Sequence, residues 1–205
     1  MNDEKRCKNE HQGRRRGGHD HGRRGPSSYE MHDPGLVFGE LSLKEGDSFL
    51  DLGCGAGDYA LQAAEIIGDS GVVYALDIRE DSLDGLKKEA DAQGLKNIRT
   101  KISDVKGRLA LEDHCVDICF MATVLHMLDL KRDGKNVFDE IFRVLKPGGR
   151  LAIIECKKEG TRFGPPAHMR LSPEELEAFV MPYGFRRMSY VDLGYNYMIQ
   201  FGMEV

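Results

Sequence analysis

The chain predicts an α/β domain: a parallel sheet with helices over both faces. Three observations carry this. Apolar runs alternate with amphipathic stretches through five successive units, the pattern of crossover connections. One run ends in a glycine-rich turn that leads directly into helix-forming sequence, Phe49-Leu50-Asp51-Leu52-Gly53-Cys54-Gly55-Ala56-Gly57 followed by Tyr59-Ala60-Leu61-Gln62-Ala63-Ala64. The 205 residues suffice for one compact domain and are too few for two full ones.

In chain order, Asp33-Pro34 reads as a helix start, an N-cap followed by a proline at the first helical position, with Leu36, Val37 and Leu41 on one face. After the glycine turn, residues 71–77 form a second buried strand. Asp81 is expected to cap a helix that presents Leu83, Leu86 and Ala90 and stops at Gly94. Residues 98–103 and 116–121 read as the third and fourth strands. Val137, Ile141, Val144 and Leu145 mark another amphipathic helix, ended by Lys146-Pro147-Gly148-Gly149, and residues 151–154 form the fifth strand. Ser172-Pro173-Glu174-Glu175 is a capping box opening a helix that closes at Gly184. The last stretch reads as two strands around Gly194-Tyr195-Asn196.

Charge is unevenly distributed. Residues 1–25 hold eight Lys/Arg against four Asp/Glu, and with the whole chain at −5 the remainder carries −9. An acidic body of this kind disfavours a broad nucleic-acid grip. Residues 1–28 are almost devoid of apolar side chains and are expected to be a disordered basic tail, with residues 29–205 as the folded domain. His11, His19 and His21 within that tail are read as solvated, and no metal site is expected. No apolar run is long enough to span a membrane, and no secretion signal is present. Five cysteines without a framework spacing read as free thiols of a cytoplasmic protein.

A turn with glycines at alternate positions lets a ligand lie against main chain, with helix N-terminal amides aimed at its anionic part. Two nucleotide-cofactor classes use such turns. Dinucleotide enzymes space the glycines G-x-G-x-x-G, whereas here the third glycine comes one residue early and Asp51 precedes the turn. Asp77 ends the second strand 20 residues past Gly57, where an acid meets ribose hydroxyls. Asp104, after Ser103 at the end of the third strand, is placed to accept from an adenine amino group.

This set resembles the class I S-adenosylmethionine (SAM)-dependent methyltransferases over roughly residues 30–205, and within them the small ubiquinone/menaquinone-type and arsenite-type group. The matching stretches are Asp51-Leu52-Gly53-Cys54-Gly55-Ala56-Gly57, Ala75-Leu76-Asp77, Ser103-Asp104, Val116-Asp117 and Leu145-Lys146-Pro147-Gly148-Gly149. The resemblance implies a Rossmann-like three-layer sandwich, with a seven-stranded, mostly parallel sheet and a reversed last strand from the terminal hairpin. It implies SAM as cofactor and S-adenosylhomocysteine as product. The cofactor residues it implies are Asp51, Gly53, Cys54, Gly55, Gly57, Tyr59, Asp77, Ile78, Ser103, Asp104, Val105 and Ala122. The expected partner is a small-molecule methyl acceptor; the sequence sets no oligomeric state.

A sulfonium already activates its methyl group, so catalysis is expected to be positional, with a base only where the nucleophile arrives protonated. His126, following the fourth strand, is the candidate for that base; its other reading is a pocket or helix-start histidine without proton work. The loop from Cys156 to Arg170 is expected to contact the acceptor. An arsenite acceptor requires converging thiols, and only Cys156 is placed near substrate. An RNA acceptor is disfavoured, because Met121-Ala122-Thr123-Val124 stands where base N-methylation has an Asn/Asp-Pro-Pro-aromatic motif. A SAM-binding protein that transfers no methyl is the reading from outside the enzyme class.

Overall fold

The computed structural model describes residues 28–159 and 164–204. The tail histidines His11, His19 and His21 lie outside the described residues, as does part of the loop after Cys156. Helices α1 (Pro34–Leu41), α2 (Asp58–Ile67), α3 (Glu80–Gln93), α4 (Leu130–Val144) and α5 (Pro173–Val180) flank a seven-stranded sheet. Its strands are β1 (Ser48–Leu52), β2 (Val72–Asp77), β3 (Ile98–Ile102), β4 (Val116–Ala122), β5 (Leu145–Cys156), β6 (Phe185–Leu193) and β7 (Asn196–Met203). Strand order is β3-β2-β1-β4-β5-β7-β6. The first five are parallel, and β7 runs antiparallel to both β5 and β6. This is the expected sheet with its reversed strand. No helix among the described residues is long and apolar enough to cross a membrane.

Strand alternation sorts the core into two layers. Leu50, Leu52, Cys119, Met121, Leu151 and Ile153 pack with Val137, Phe138, Ile141 and Leu176 of α4 and α5. Phe49, Ile118, Phe120, Ala152 and Ile154 pack against α1, α2 and α3 through Val37, Leu41, Ala63, Ile67 and Leu86. Asp51 shares its sheet face with Phe49 and therefore points toward α2. β1 continues through α2 to β2 on one side, while β4 returns to its other side. The gap between the carboxyl ends of β1 and β4 is the switch point at which such sheets take ligands.

Three local expectations need correction. Leu36 is 53% exposed, and Val37, Phe38 and Leu41 make the buried face. An eight-residue helix gives too few turns for spacing alone to choose the face. α3 starts at Glu80 with Arg79 in the cap position and Asp81 in the first turn; the backbone N–H of Arg79 donates instead to Asp77 Oδ1 (2.9 Å). Lys146-Pro147-Gly148-Gly149 lies within β5, as an irregularity between the Val116–Leu145 and Ile118–Arg150 pairs. Lys146 there holds Asp117 (2.7 Å), which also accepts from Ser48 N–H (2.8 Å), so Asp117 stitches strand starts at the end opposite the glycine turn. Ahead of α1 a 3-10 turn spans Ser28–Met31.

The capping box is formed as read: Glu175 N–H donates to Ser172 Oγ and Ser172 N–H to Glu175 Oε2. Ser172→Ala is expected to cost about 1 kcal/mol, measured as a lower urea midpoint at unchanged slope.

Candidate active site

The glycine turn is pinned to the end of β2 by Gly53 and Cys54 N–H donating to Leu76 O (2.7 and 3.0 Å). Its three glycines have different jobs. Gly53 (φ +82°) and Gly57 (φ +85°) are left-handed and closely packed: a Cβ at Gly53 would lie 2.6 Å from Val124 Cγ2, and at Gly57 2.5 Å from Leu86 Cδ1. Gly55 has open space around it, with Arg79 Nη2 the nearest group at 3.8 Å. The turn therefore touches the segment after β4 through Gly53, packs on α3 through Gly57, and presents Gly55 to a ligand.

Acids surround that open side. Asp77 is 7% exposed; Oδ2 accepts from Gly55 N–H (2.8 Å) and Oδ1 from Arg79 N–H. Asp51 is fully buried at the foot of α2, where Ala60 N–H bonds it, and its Oδ2 has no hydrogen-bond partner among the described residues. Burial, then the charges of Asp77 and Asp58, push its carboxyl up to about 8. Farther along the strand ends, Asp104 is exposed and turned onto Lys106 N–H (3.0 Å). Ser103 N–H joins β3 to Asp77 O (3.0 Å). Ile78 is 65% exposed beside Asp77, and half-buried Val105 packs on the core. Ala122 closes β4 ahead of Thr123, a non-glycine residue at φ +56° whose N–H donates to Ile154 O (2.8 Å).

Cys54 is buried, and burial together with Asp51 and Asp77 pushes its thiol far up, so it stays protonated packing. Tyr59 is also buried: its ring packs on Phe120 (4.8 Å) and Tyr29 (5.1 Å), and its hydroxyl lies 2.7 Å from His32 Nε2. It anchors the N-terminal segment beside the turn, a role the sequence did not reveal.

An adenosyl cofactor with a cationic sulfonium and ammonium fits these residues. The orphaned Asp51 oxygen and the acids around it suit the cationic end, the Asp77 carboxylate suits a diol, and Ile78 offers an apolar surface for a base.

The acceptor side lies past β4. A 3-10 turn, Leu125–Met127, carries His126 onto Glu155 at the end of β5, with Nδ1 3.0 Å from Oε2. Next to it opens a cleft of about 390 Å³ of mixed lining, apolar at Leu128, Met169, Leu171 and Phe179 and polar at His126, Asp129, Lys131 and His168. Arg170, 6% exposed, donates to Pro165 O (2.7 Å) and Lys157 O (3.0 Å), tying both ends of the β5–α5 connection together. Cys156 is buried beside Gly164, and burial raises its thiol. Cys54 belongs to the α2 layer, whereas Cys119 and Cys115 belong to the α4 layer. Among the described residues the thiols do not converge, and the arsenite alternative is not favoured. Arg79 and His32 are residues that sequence reasoning missed; it placed Glu155 and Arg170 only by position, at the end of the fifth strand and of the acceptor loop, and did not foresee their partners.

A switch-point site of this composition on a sheet with a reversed β7 defines the class of SAM-dependent methyltransferase folds. The methyltransferase domain family matches residues 43–190, and the chain belongs to that family. A demethylmenaquinone methyltransferase of Lactobacillus johnsonii is 38% identical over 122 residues, 59% of this chain and 48% of that protein. An arsenite methyltransferase of Halobacterium salinarum is 27% identical over 139 residues, 68% of this chain and 34% of that one. The chain thus spans about half or less of these curated relatives. A crystal structure of a SAM-dependent methyltransferase from Aquifex aeolicus superposes with a TM-score of 0.78 at 35% identity, covering 88% of this chain and 94% of that one.

Proposed function

We propose that this protein is a SAM-dependent methyltransferase of a reducing cytoplasm, acting on a small-molecule acceptor and releasing S-adenosylhomocysteine. The observation that carries the reading is the Asp51–Gly55–Asp77 constellation at the switch point, with a buried Asp51 oxygen that has no hydrogen-bond partner among the described residues. Residues 29–205 are the catalytic domain and residues 1–28 an appended basic tail. In this reading Asp77 takes the ribose hydroxyls, and Ser103, Asp104, Val105 and Ile78 frame the adenine. Asp51, the Cys54 and Gly55 backbone and Ala122 hold the methionyl end. Gly53, Gly57 and Tyr59 hold the shape of the turn. When bound, the cofactor supplies an electrophilic methyl group; the protein excludes water and aligns the acceptor with it. The similarity to a demethylmenaquinone methyltransferase and the apolar part of the cleft lining, Leu128, Met169, Leu171 and Phe179, support an aromatic acceptor.

Calorimetric titration with SAM and S-adenosylhomocysteine tests the reading. Asp77→Asn is expected to weaken both by about 10- to 100-fold, the loss of charge-assisted hydrogen bonds. Equal affinity in the variant removes Asp77 from the site, and absence of SAM binding by the natural protein overturns the reading.

A further inference from the structure

The His126 side chain is not placed by chance of packing. Glu155 shares the sheet face of Leu151 and Ile153, its side chain 1% exposed, where a carboxylate needs partners. It has three: Leu125 N–H at 2.7 Å and His126 N–H at 3.4 Å on Oε1, and His126 Nδ1 at 3.0 Å on Oε2. The first two bind the turn of residues 125–127 to β5 across 30 residues of sequence. The third sets the imidazole. An ionised carboxylate only accepts, so Nδ1 carries the hydrogen and Nε2 of the neutral ring keeps its lone pair. The ring, 14% exposed, lines the cleft, and no hydrogen bond to Nε2 is formed among the described residues. Other charged or titratable groups around it are Asp129 and Lys131 at the start of α4 and His168 across the cleft; Tyr197 of β7, from below, donates to Leu171 O (2.9 Å).

We propose that His126 and Glu155 form a proton-abstracting pair, with His126 the catalytic base and Glu155 its positioning residue, and that the acceptor is an aromatic molecule whose hydroxyl arrives protonated. The inference rests on the methyltransferase reading. The acceptor O–H bond breaks and its proton goes to His126 Nε2. The oxygen pair, or its conjugate ring carbon, forms the bond to the methyl carbon while the methyl–sulfur bond breaks and leaves its pair on sulfur. Where carbon attacks, the ring proton then departs to solvent, leaving the ring oxygen as an anion that takes a proton from water to restore the hydroxyl. The imidazolium, held by Glu155, loses its proton to water. An acceptor that arrives as an anion needs none of this, and a buried carboxylate behind the imidazole would then serve no chemistry.

Glu155→Gln is the sharp test. Its carbonyl still accepts from Leu125 N–H, but its amide donates to Nδ1, so the hydrogen moves to Nε2 and the base becomes a donor. His126→Asn is the second variant, keeping a donor toward Glu155 and removing the base. Long-range proton–nitrogen correlation on the labelled full chain is expected to show the Nδ1–H tautomer in the natural protein and Nε2–H in Glu155→Gln. With 1,4-dihydroxynaphthalene as acceptor, both variants are expected to lose about 100-fold in kcat, with KM and S-adenosylhomocysteine affinity changed less than about threefold. The acid limb of the natural pH–rate profile disappears in His126→Asn. An Nε2–H tautomer in the natural protein, undiminished kcat in the variants, or an acid limb lost only in His168→Gln overturns the pair. Binding of S-adenosylhomocysteine without methylation of the dihydroxynaphthalene overturns the acceptor class. Failure of that binding strikes the methyltransferase reading itself, a different outcome.

Discussion

Replacing Asp51 by Asn is expected to stabilise the ligand-free protein and at the same time weaken its hold on SAM. The carboxyl is fully buried, with one oxygen unpartnered and two further acids nearby, which raises it from 3.8 to about 8. A group raised on folding contributes its stability below its unfolded value, and that contribution is lost as pH rises through the folded one. Between pH about 4 and 8 the natural protein therefore loses about 1.4 kcal/mol per pH unit relative to the variant. The new amide must bury its own donors, which offsets about 1–3 kcal/mol. The net gain at pH 8 is on the order of 2–4 kcal/mol, visible as a higher urea midpoint that meets the natural one between about pH 4.5 and 6, where the linkage gain equals the amide penalty, and lies below it near pH 4. A cation bound at Asp51 favours the ionised form, so SAM binding should release a proton at pH 7 and tighten as pH rises toward 8 or above. Titrations in buffers of different ionisation enthalpy count that proton. Binding that is independent of pH, or equally tight in Asp51→Asn, removes Asp51 from the cationic end.

How much of this was legible in the sequence depended on how far away the partners lie. Asp51 and Asp77 stood out because a charge inside or ending an apolar run violates the pattern of a buried strand. Val137, Ile141 and Val144 gave the α4 face because four turns of helix fix a period. Glu155 was not visible in the same way. An acid at the end of a strand reads as the chain leaving the sheet, and its burial depends on the turn of residues 125–127 folding back over it. Arg170 was read only as the end of the acceptor loop; its part in closing that loop stayed hidden for a related reason, since its acceptors are carbonyls, which sequence does not distinguish. The start of β5 was missed because Lys146-Pro147-Gly148-Gly149 has turn composition, and only the neighbouring β4 makes it an irregular strand.

The three glycines of the turn looked equivalent in sequence, and their variants should separate them. Gly57→Ala is expected to be the most destabilising. At φ +85° a side chain costs about 1–2 kcal/mol. Its Cβ would meet Leu86 Cδ1, Cδ2 and Cγ at 2.5, 2.8 and 2.9 Å, so the obstacle is the branch point of a fully buried leucine and not only its tip. Pushing Leu86 and α3 away from α2 adds about 1–3 kcal/mol. A total near 2–5 kcal/mol is a large share of the stability of a domain this size. Gly55→Ala meets nothing closer than Arg79 Nη2 at 3.8 Å, so it loses only about 1–2 kcal/mol from backbone strain. Its methyl group, however, stands on the open side where the cofactor would lie. Denaturation midpoints and S-adenosylhomocysteine titrations should therefore rank the pair in opposite orders: Gly57→Ala the less stable, and Gly55→Ala folded but the weaker binder per folded molecule. If Gly55→Ala binds as tightly as the natural protein, the open face of the turn is not where the ligand lies.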